Sequence, residues 1–355
     1  MKKLLFAIFN LSLALLFALS GCSCKTTPPL AFNKAYLGDG VGNYSETLEY
    51  SIEFAKSYQG ISSTSSVDEE KLPKDLTGTY VSYFSNATNS LPSGVTTNID
   101  YENDYHYIRN VLSLSYSING KTFFDQMVNE VYFHSKDWSF APVYSKTTMK
   151  YTYFIVGQET LPQVIYQYST SYDKANFKTT KTVYNPETSE DVNLIDITDT
   201  DPNSPSYLDM TKFKPFSGDG ASHEYSIRTA IDNNQLLFAI RNSNVGEVNI
   251  PTISFSYDNA ISLIAKSRND ANYTINNLNY NGTDIANVNM PIKNVEFYIN
   301  STTNAGSSKY LSIQKEAVGD IKNNALIVEY AEPFLSGLST VGALVYKLNK
   351  VTINN

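Results

Sequence analysis

From Leu112 to Gly120 the chain spells out a fold it can hardly avoid. Leu112, Leu114, Tyr116 and Ile118 alternate with Ser113, Ser115 and Ser117, and Asn119-Gly120 follows at once. On a helix, four apolar residues at period two would be scattered round the axis; on a strand they share one face. Asn-Gly supplies the two positive φ values of a tight turn whose twist matches that of the flanking strands. The stretch therefore predicts an antiparallel hairpin with one wet and one dry face.

The same style recurs along the chain. Leu48, Tyr50, Ile52 and Phe54 alternate with Thr47, Glu49, Ser51 and Glu53 over Thr47 to Phe54, a half-buried strand. Further strands are predicted at Glu130 to His134, Lys150 to Val156, Val164 to Tyr172 and Thr179 to Tyr184. In the second half they fall at Glu224 to Ile231, Leu236 to Asn242, Ile253 to Tyr257, Tyr273 to Tyr280, Val295 to Ile299, Tyr310 to Gln314, Ala325 to Tyr330 and Ala343 to Val351. At Asp258 to Lys266 a short capped helix competes with a strand. Gly60 to Lys71, rich in Ser, Thr and acids, reads as a solvated loop.

Between Asp196 and Ser206 the text turns to Asp, Thr, Ser and Pro with no apolar period, which marks a linker. The expectation is an all-β chain of two tandem antiparallel sandwich-like domains, 34–202 and 203–355. A faint repeat joins the halves. Gly38-Asp39-Gly40 with Glu49-Tyr50-Ser51-Ile52 is echoed by Gly218-Asp219-Gly220 with Glu224-Tyr225-Ser226-Ile227, and Asn119-Gly120 by Asn281-Gly282. Two related domains would give such echoes, and so would chance among β-rich text.

The N-terminus obeys a different grammar. Lys2 and Lys3 precede an apolar run from Leu4 to Leu19, broken only by Asn10 and Ser12, and Ser20 and Gly21 close it. That order of basic, apolar and small residues is a secretory signal, and the run is shorter than the roughly 20 residues a spanning helix needs. Leu19-Ser20-Gly21-Cys22 resembles the box of a bacterial lipoprotein signal. The resemblance covers these residues alone and implies cleavage between Gly21 and Cys22, with diacylglyceryl and acyl modification of Cys22. It also implies anchoring, because acyl chains contribute about 0.8 kcal/mol per buried methylene and two of them hold a domain stably on a bilayer. Residues 1–21 are then the signal and 22–33 a lipidated tether, with Lys25-Thr26-Thr27-Pro28-Pro29 offering no apolar period. In Gram-negative lipoproteins, Ser23 in place of Asp would permit passage to the outer membrane; in a Gram-positive envelope the destination is the outer face of the plasma membrane.

Cys22 and Cys24 are the only cysteines, so a lipidated Cys22 leaves Cys24 without an intramolecular disulfide partner. A net charge of −8 with no basic run argues against nucleic acid as a partner. Nucleophilic catalysis wants a histidine base, and His106, His134 and His223 are scattered, with His106 and His134 expected at surfaces or strand edges. Asp199, Asp201 and Asn203 have calcium-loop spacing, yet Ser204 and Met210 stand where a calcium loop needs Gly and Glu, so a turn is the better reading. Glu130, Asp137 and Glu159 are acids that a glycosidase could pair, although nothing in the sequence joins them. With 27 Tyr, 18 Phe and one Trp, the aromatic content suggests either strand packing or a binding surface. Trp138, in the Ser135 to Ala141 loop, is the candidate stacking residue, while Tyr166, Tyr168 and Tyr172 share one strand face as packing residues would. The expected function is non-catalytic binding of a glycan or protein, or scaffolding, on the outer side of a bacterial membrane, without cofactor or metal. The alternative is a surface polysaccharide hydrolase working with two carboxylates.

Overall fold

The computed structural model describes residues 43–62, 69–95, 105–134, 142–152, 163–172, 176–184, 213–215, 222–224, 231–241, 247–253, 261–299, 308–336 and 339–354. The leader, Gly21, Cys22, Cys24, the tether, Trp138 and the Asp196 to Ser206 linker lie outside the described residues.

The all-β expectation holds. A 16-stranded sheet takes in strands from both halves of the chain. Strands β1 (Ser45–Ala55), β4 (Lys74–Asn89), β5 (Tyr105–Ile118), β6 (Lys121–His134), β7 (Pro142–Thr152), β8 (Gln163–Tyr172) and β9 (Asn176–Tyr184) follow one another as antiparallel neighbours. β2 (Ser57–Tyr58) and β3 (Ile61–Ser62) form a separate small hairpin. β10 (Phe213–Pro215) and β11 (Ser222–Glu224) both pair with β9. In the second half, β12 (Ile231–Asp232) and β13 (Glu247–Ile253) lead into β14 (Ile261–Tyr280), β15 (Thr283–Ile299), β16 (Lys309–Gln314), β17 (Ile327–Ser336) and β18 (Ser339–Asn354).

Two pairings give this sheet its form. β1 lies between β4 and β18, with Ser45 opposite both Ser85 and Asn354, so the first strand stitches the two halves together. β14 returns to β18 through Asn279 with Lys350 and Tyr280 with Val351, in parallel. The run β14-β15-β16-β17-β18 therefore closes on itself, and the sheet is barrel-like there and open along β4 to β9. Apart from the β2–β3 hairpin, the described strands of both halves share one sheet, and its main core spans them. That core joins Leu48, Ile52, Phe84, Ile108 and Phe133 to Ile240, Leu278, Met290, Phe297 and Leu348. Alternation along a strand says which face is buried, but not whether the neighbouring strand is ten or three hundred residues away.

The hairpin predicted at Asn119-Gly120 is present, with φ of 52° and 70°, and Asn281-Gly282 repeats it between β14 and β15 with 49° and 83°. Within Asp258 to Lys266 the strand prevails from Ile261 onward, as the start of β14. Leu236 to Asn242 is a correction: Leu236–Arg241 is a helix, α1. A 3-10 turn, Asn233–Gln235, leads into it and is capped by Asp232, whose side chain accepts from the Asn234 N–H while the Gln235 side chain accepts from the Asp232 N–H. This capping arrangement satisfies donors that a strand would have sent to a neighbour. An apolar run this short has no decisive period, which is why the sequence alone misreads it.

α1 is enclosed by sheet. Leu236, Phe238, Ala239, Ile240 and Arg241 are all buried. Phe238 stacks on Phe84 of β4 at 4.5 Å and meets Phe133 of β6 edge-on at 5.8 Å. Just before it, Asn234 accepts from Asn110 of β5 and donates to Thr147 of β7, while Tyr172 of β8 donates to Asp232. Arg241 is ion-paired with Glu46 of β1 and donates to the carbonyls of Asn324 and Ala325. A second, smaller cluster of Ile61, Tyr310, Ala331, Ala343 and Val345 seats the β2–β3 hairpin on the sheet. Among the described residues, no helix is long and apolar enough to cross a membrane.

Candidate functional site

The interior beside α1 holds a cavity of about 20 Å³, lined in part by Tyr50, Tyr80, Tyr330, Tyr346 and Arg241. A water needs about 10–15 Å³, so this space takes a water and no organic ligand. Its tyrosine rings pack against one another, Tyr50 on Tyr80 at 5.7 Å, Tyr80 on Tyr346 at 5.6 Å and Tyr346 on Tyr330 at 4.9 Å. The aromatic surplus in the sequence is to this extent core, as strand packing requires.

A second cavity is an open groove of about 700 Å³ beside the β14–β15 hairpin. It lies at a register break in β14 between Ser267 and Asp270, where the ladder with β15 slips. A bulge re-aims side chains that regular alternation would have sent across the sheet. Here Arg268 and Asn269 join Lys266, Ser267, Glu296, Tyr298 and Ser308 around the groove. Arg268 donates from Nε at 2.9 Å and Nη2 at 2.5 Å to Glu296 Oε2, and its guanidinium lies over the Tyr310 ring, 5.2 Å from the centroid. The Tyr310 hydroxyl donates to Glu296 Oε1 at 3.4 Å. Lys266 stands directly opposite Glu296 in the ladder.

Burial tends to raise the Glu296 carboxyl, but hydrogen bonds from Arg268 and Ser308 outweigh it and hold the pKa below the usual carboxylate value. The same bond to Glu296 raises Arg268. Both groups are therefore charged at neutral pH. The arrangement presents a guanidinium, a carboxylate, an amide and a tyrosine ring to solvent, which is the equipment for gripping vicinal hydroxyls and stacking on a ring. Its described lining holds one carboxylate, so the paired-acid chemistry of glycoside hydrolysis is not assembled at this place.

The residues singled out in the sequence do not meet here. Trp138, Asp137, Glu159, Asp199, Asp201 and Asn203 lie outside the described residues, as do the side chains of His134 and His223. His106, expected at a surface, is buried between Phe84 and Phe133, because even-numbered residues of β5 face the core. Glu130 accepts from the Tyr107 hydroxyl at 2.6 Å and lines neither cavity. Tyr172 is buried against Asp232, as a packing residue. Sequence reasoning missed Arg268 and Glu296. The readable signal was Ser267-Arg268-Asn269-Asp270, a polar interruption inside a strand, which is where a bulge belongs.

The chain is thus an all-β, barrel-like protein with a helix inside the sheet and a polar groove at a bulge. No family model and no curated protein matches its sequence. Among solved structures it is similar to a crystal structure of a beta-barrel-like protein of a domain of unknown function, DUF1849, from Brucella abortus. The two share 8% identity with a TM-score of 0.47, over 88% of this chain and 98% of that one.

Proposed function

We propose that the protein is a lipid-anchored, extracytoplasmic glycan-binding protein that acts without catalysis. The groove at the β14 bulge carries this reading, because Arg268, Glu296, Asn269 and Tyr298 offer charge-assisted hydrogen bonds and a ring face in one solvent-open place. The location follows from the lipoprotein-like box ending at Cys22. Acidic charge elsewhere keeps nucleic acid away, and neither metal nor cofactor is required for binding of this kind.

Two measurements test the two parts. Mass spectrometry of the membrane fraction should find an N-terminal, lipid-modified Cys22, and Cys22→Ser should release the protein from the membrane; an intact leader on a membrane-bound chain refutes the anchor. A glycan array should give hits that weaken by about tenfold or more in Arg268→Ala, since a charge-assisted hydrogen bond contributes about 1.5–3 kcal/mol. Hits unaffected by Arg268→Ala and Glu296→Gln would place the binding elsewhere, and an array without hits ends the glycan reading.

A further inference from the structure

Asparagine followed by any residue but proline and then Ser or Thr is the acceptor pattern for asparagine-linked glycans. Among the described residues it occurs at Asn43, Asn86, Asn272 and Asn281. The structure separates these four. Asn86 uses Oδ1 to accept from the Tyr44 N–H at 2.7 Å, and Asn281 uses its own to accept from the Ile353 N–H at 2.8 Å. At Asn43 the hydroxyl of the pattern, Ser45, accepts from Asn354, and the residue between them, Tyr44, is buried at 3%.

Asn272 differs in each respect. It is exposed, and so is Thr274, which lies on the same side of β14 because strand residues two apart share a face. Asp270, two positions earlier on that side, is exposed too and ion-paired with Lys315 at 2.7 Å. The other three patterns have Val41, Phe84 and Asn279 at the corresponding position, so of the four Asp270-Ala271-Asn272-Tyr273-Thr274 alone carries an acid there.

Among the described residues, β13 pairs with β14 as far as Lys266 and β18 joins at Asn279, so residues 267–278 are paired there with β15 alone. The bulge between Ser267 and Asp270 interrupts even that ladder just upstream. Opposite Asn272 stands Pro291, whose nitrogen has no hydrogen to donate. Asn272 thus sits on a stretch whose described ladder runs on one side, with its own side chain exposed.

We infer that Asn272 is an asparagine-linked glycosylation site, modified outside the cytoplasm by transfer from a lipid-pyrophosphate-linked glycan. Asn272 Nδ2 forms a bond to the anomeric carbon as that carbon's bond to the pyrophosphate oxygen breaks. The lipid pyrophosphate leaves with the bonding electron pair, the amide gives up one proton to a base, and nothing is oxidised or reduced. The attached glycan would stand on the exposed side of β14, a few residues from the groove at Arg268 and Asn269.

Resting on the extracytoplasmic location proposed above, the site is tested on protein purified from the membranes of its own cells, read by intact mass and by fragmentation of its peptides. The peptide containing Asn272 should carry a glycan mass that disappears in Asn272→Gln, disappears in Thr274→Val and returns in Thr274→Ser, while Asn281→Gln leaves it in place. Thr274→Val keeps the strand's shape, so its effect reports the acceptor pattern rather than the fold. An Asn272 peptide without added mass overturns the inference, as does a glycan that survives Thr274→Val. The same spectra report Cys22: a lipidated Cys22 with bare Asn272 refutes the glycosylation alone, and an uncleaved leader with bare Asn272 refutes both.

Discussion

Replacing Arg241 by Met tests what holds α1 inside the sheet. The guanidinium is 3% exposed and its partner Glu46 2%. Burial alone would lower the Arg241 pKa, but the Glu46 charge and hydrogen bonds reverse this and raise it, so the guanidinium stays charged at every working pH. Arg241 also donates to Ala325 O at 2.8 Å and Asn324 O at 2.7 Å, while Glu46 keeps one other donor, the Tyr44 hydroxyl at 2.9 Å. Arg241→Met therefore strands a buried carboxylate and two carbonyls. Breaking a buried pair from one side costs about 3–5 kcal/mol. At about 2–4 °C per kcal/mol for a domain of this order of size, Tm should fall by roughly 10 °C. The double variant Arg241→Met with Glu46→Leu removes the stranded charge and should recover most of the loss, since apolar replacement of a whole buried pair is often neutral. Urea unfolding followed by circular dichroism measures both, and the coupling follows from the cycle. A single variant within about 1 kcal/mol of the parent, or a double variant no better than the single, refutes the reasoning.

Gly342 and Gly78 should tolerate no side chain. A Cβ on Gly342 would lie 2.5 Å from Ala55 O and 2.6 Å from the Phe54 ring, and one on Gly78 2.5 Å from Leu114 Cδ2, so Gly342→Ala and Gly78→Ala should each cost about 1–3 kcal/mol in a thermal melt. A change under about 0.5 kcal/mol in either would show that the strands can part freely. Stability against pH should separate two acids on β17. Burial tends to raise Glu332, but Lys309 and the Tyr330 and Tyr346 hydroxyls more than offset it, leaving a folded pKa below the ordinary 4.5. Its contribution is present above pH 4.5 and lost as pH falls through the folded value, so Glu332→Gln should flatten the acid limb. Glu329 is raised above 4.5 by burial, so its ionised form costs stability near neutrality, and Glu329→Gln should flatten the curve with the opposite sign. A parent-like acid limb in Glu332→Gln would contradict the assignment.

The elements that announce themselves in the sequence are those whose cause is local. Leu112 to Gly120 carries both its alternation and its turn, and Thr47 to Phe54 its alternation, and both are strands in the structure. Where the cause is distant the text is silent. Nothing near Thr47 says that its strand runs beside β18, because pairing depends on a partner some three hundred positions away, as in the Ser45–Asn354 contact across 309 residues. Leu236 to Arg241 was legible as buried but not as helical, since its shape is decided by the Asp232 cap and by walls from β4 to β8. The groove was hidden for a related reason: Arg268 and Glu296 lie 28 residues apart, and the pairing of β14 with β15 brings them together.

The place of β1 between β4 and β18 also sets the order of events in folding. Until the last strand arrives, β1 has one neighbour and an open edge, and the pairing that completes it carries the largest loop-closure entropy in the molecule. Folding dominated by such distant contacts is slow. A chain that finishes this late exposes its unpaired edges to other chains while it waits. Loss of β18 would remove one strand and leave both β1 and β17 as bare edges, so a C-terminal truncation should aggregate rather than merely loosen.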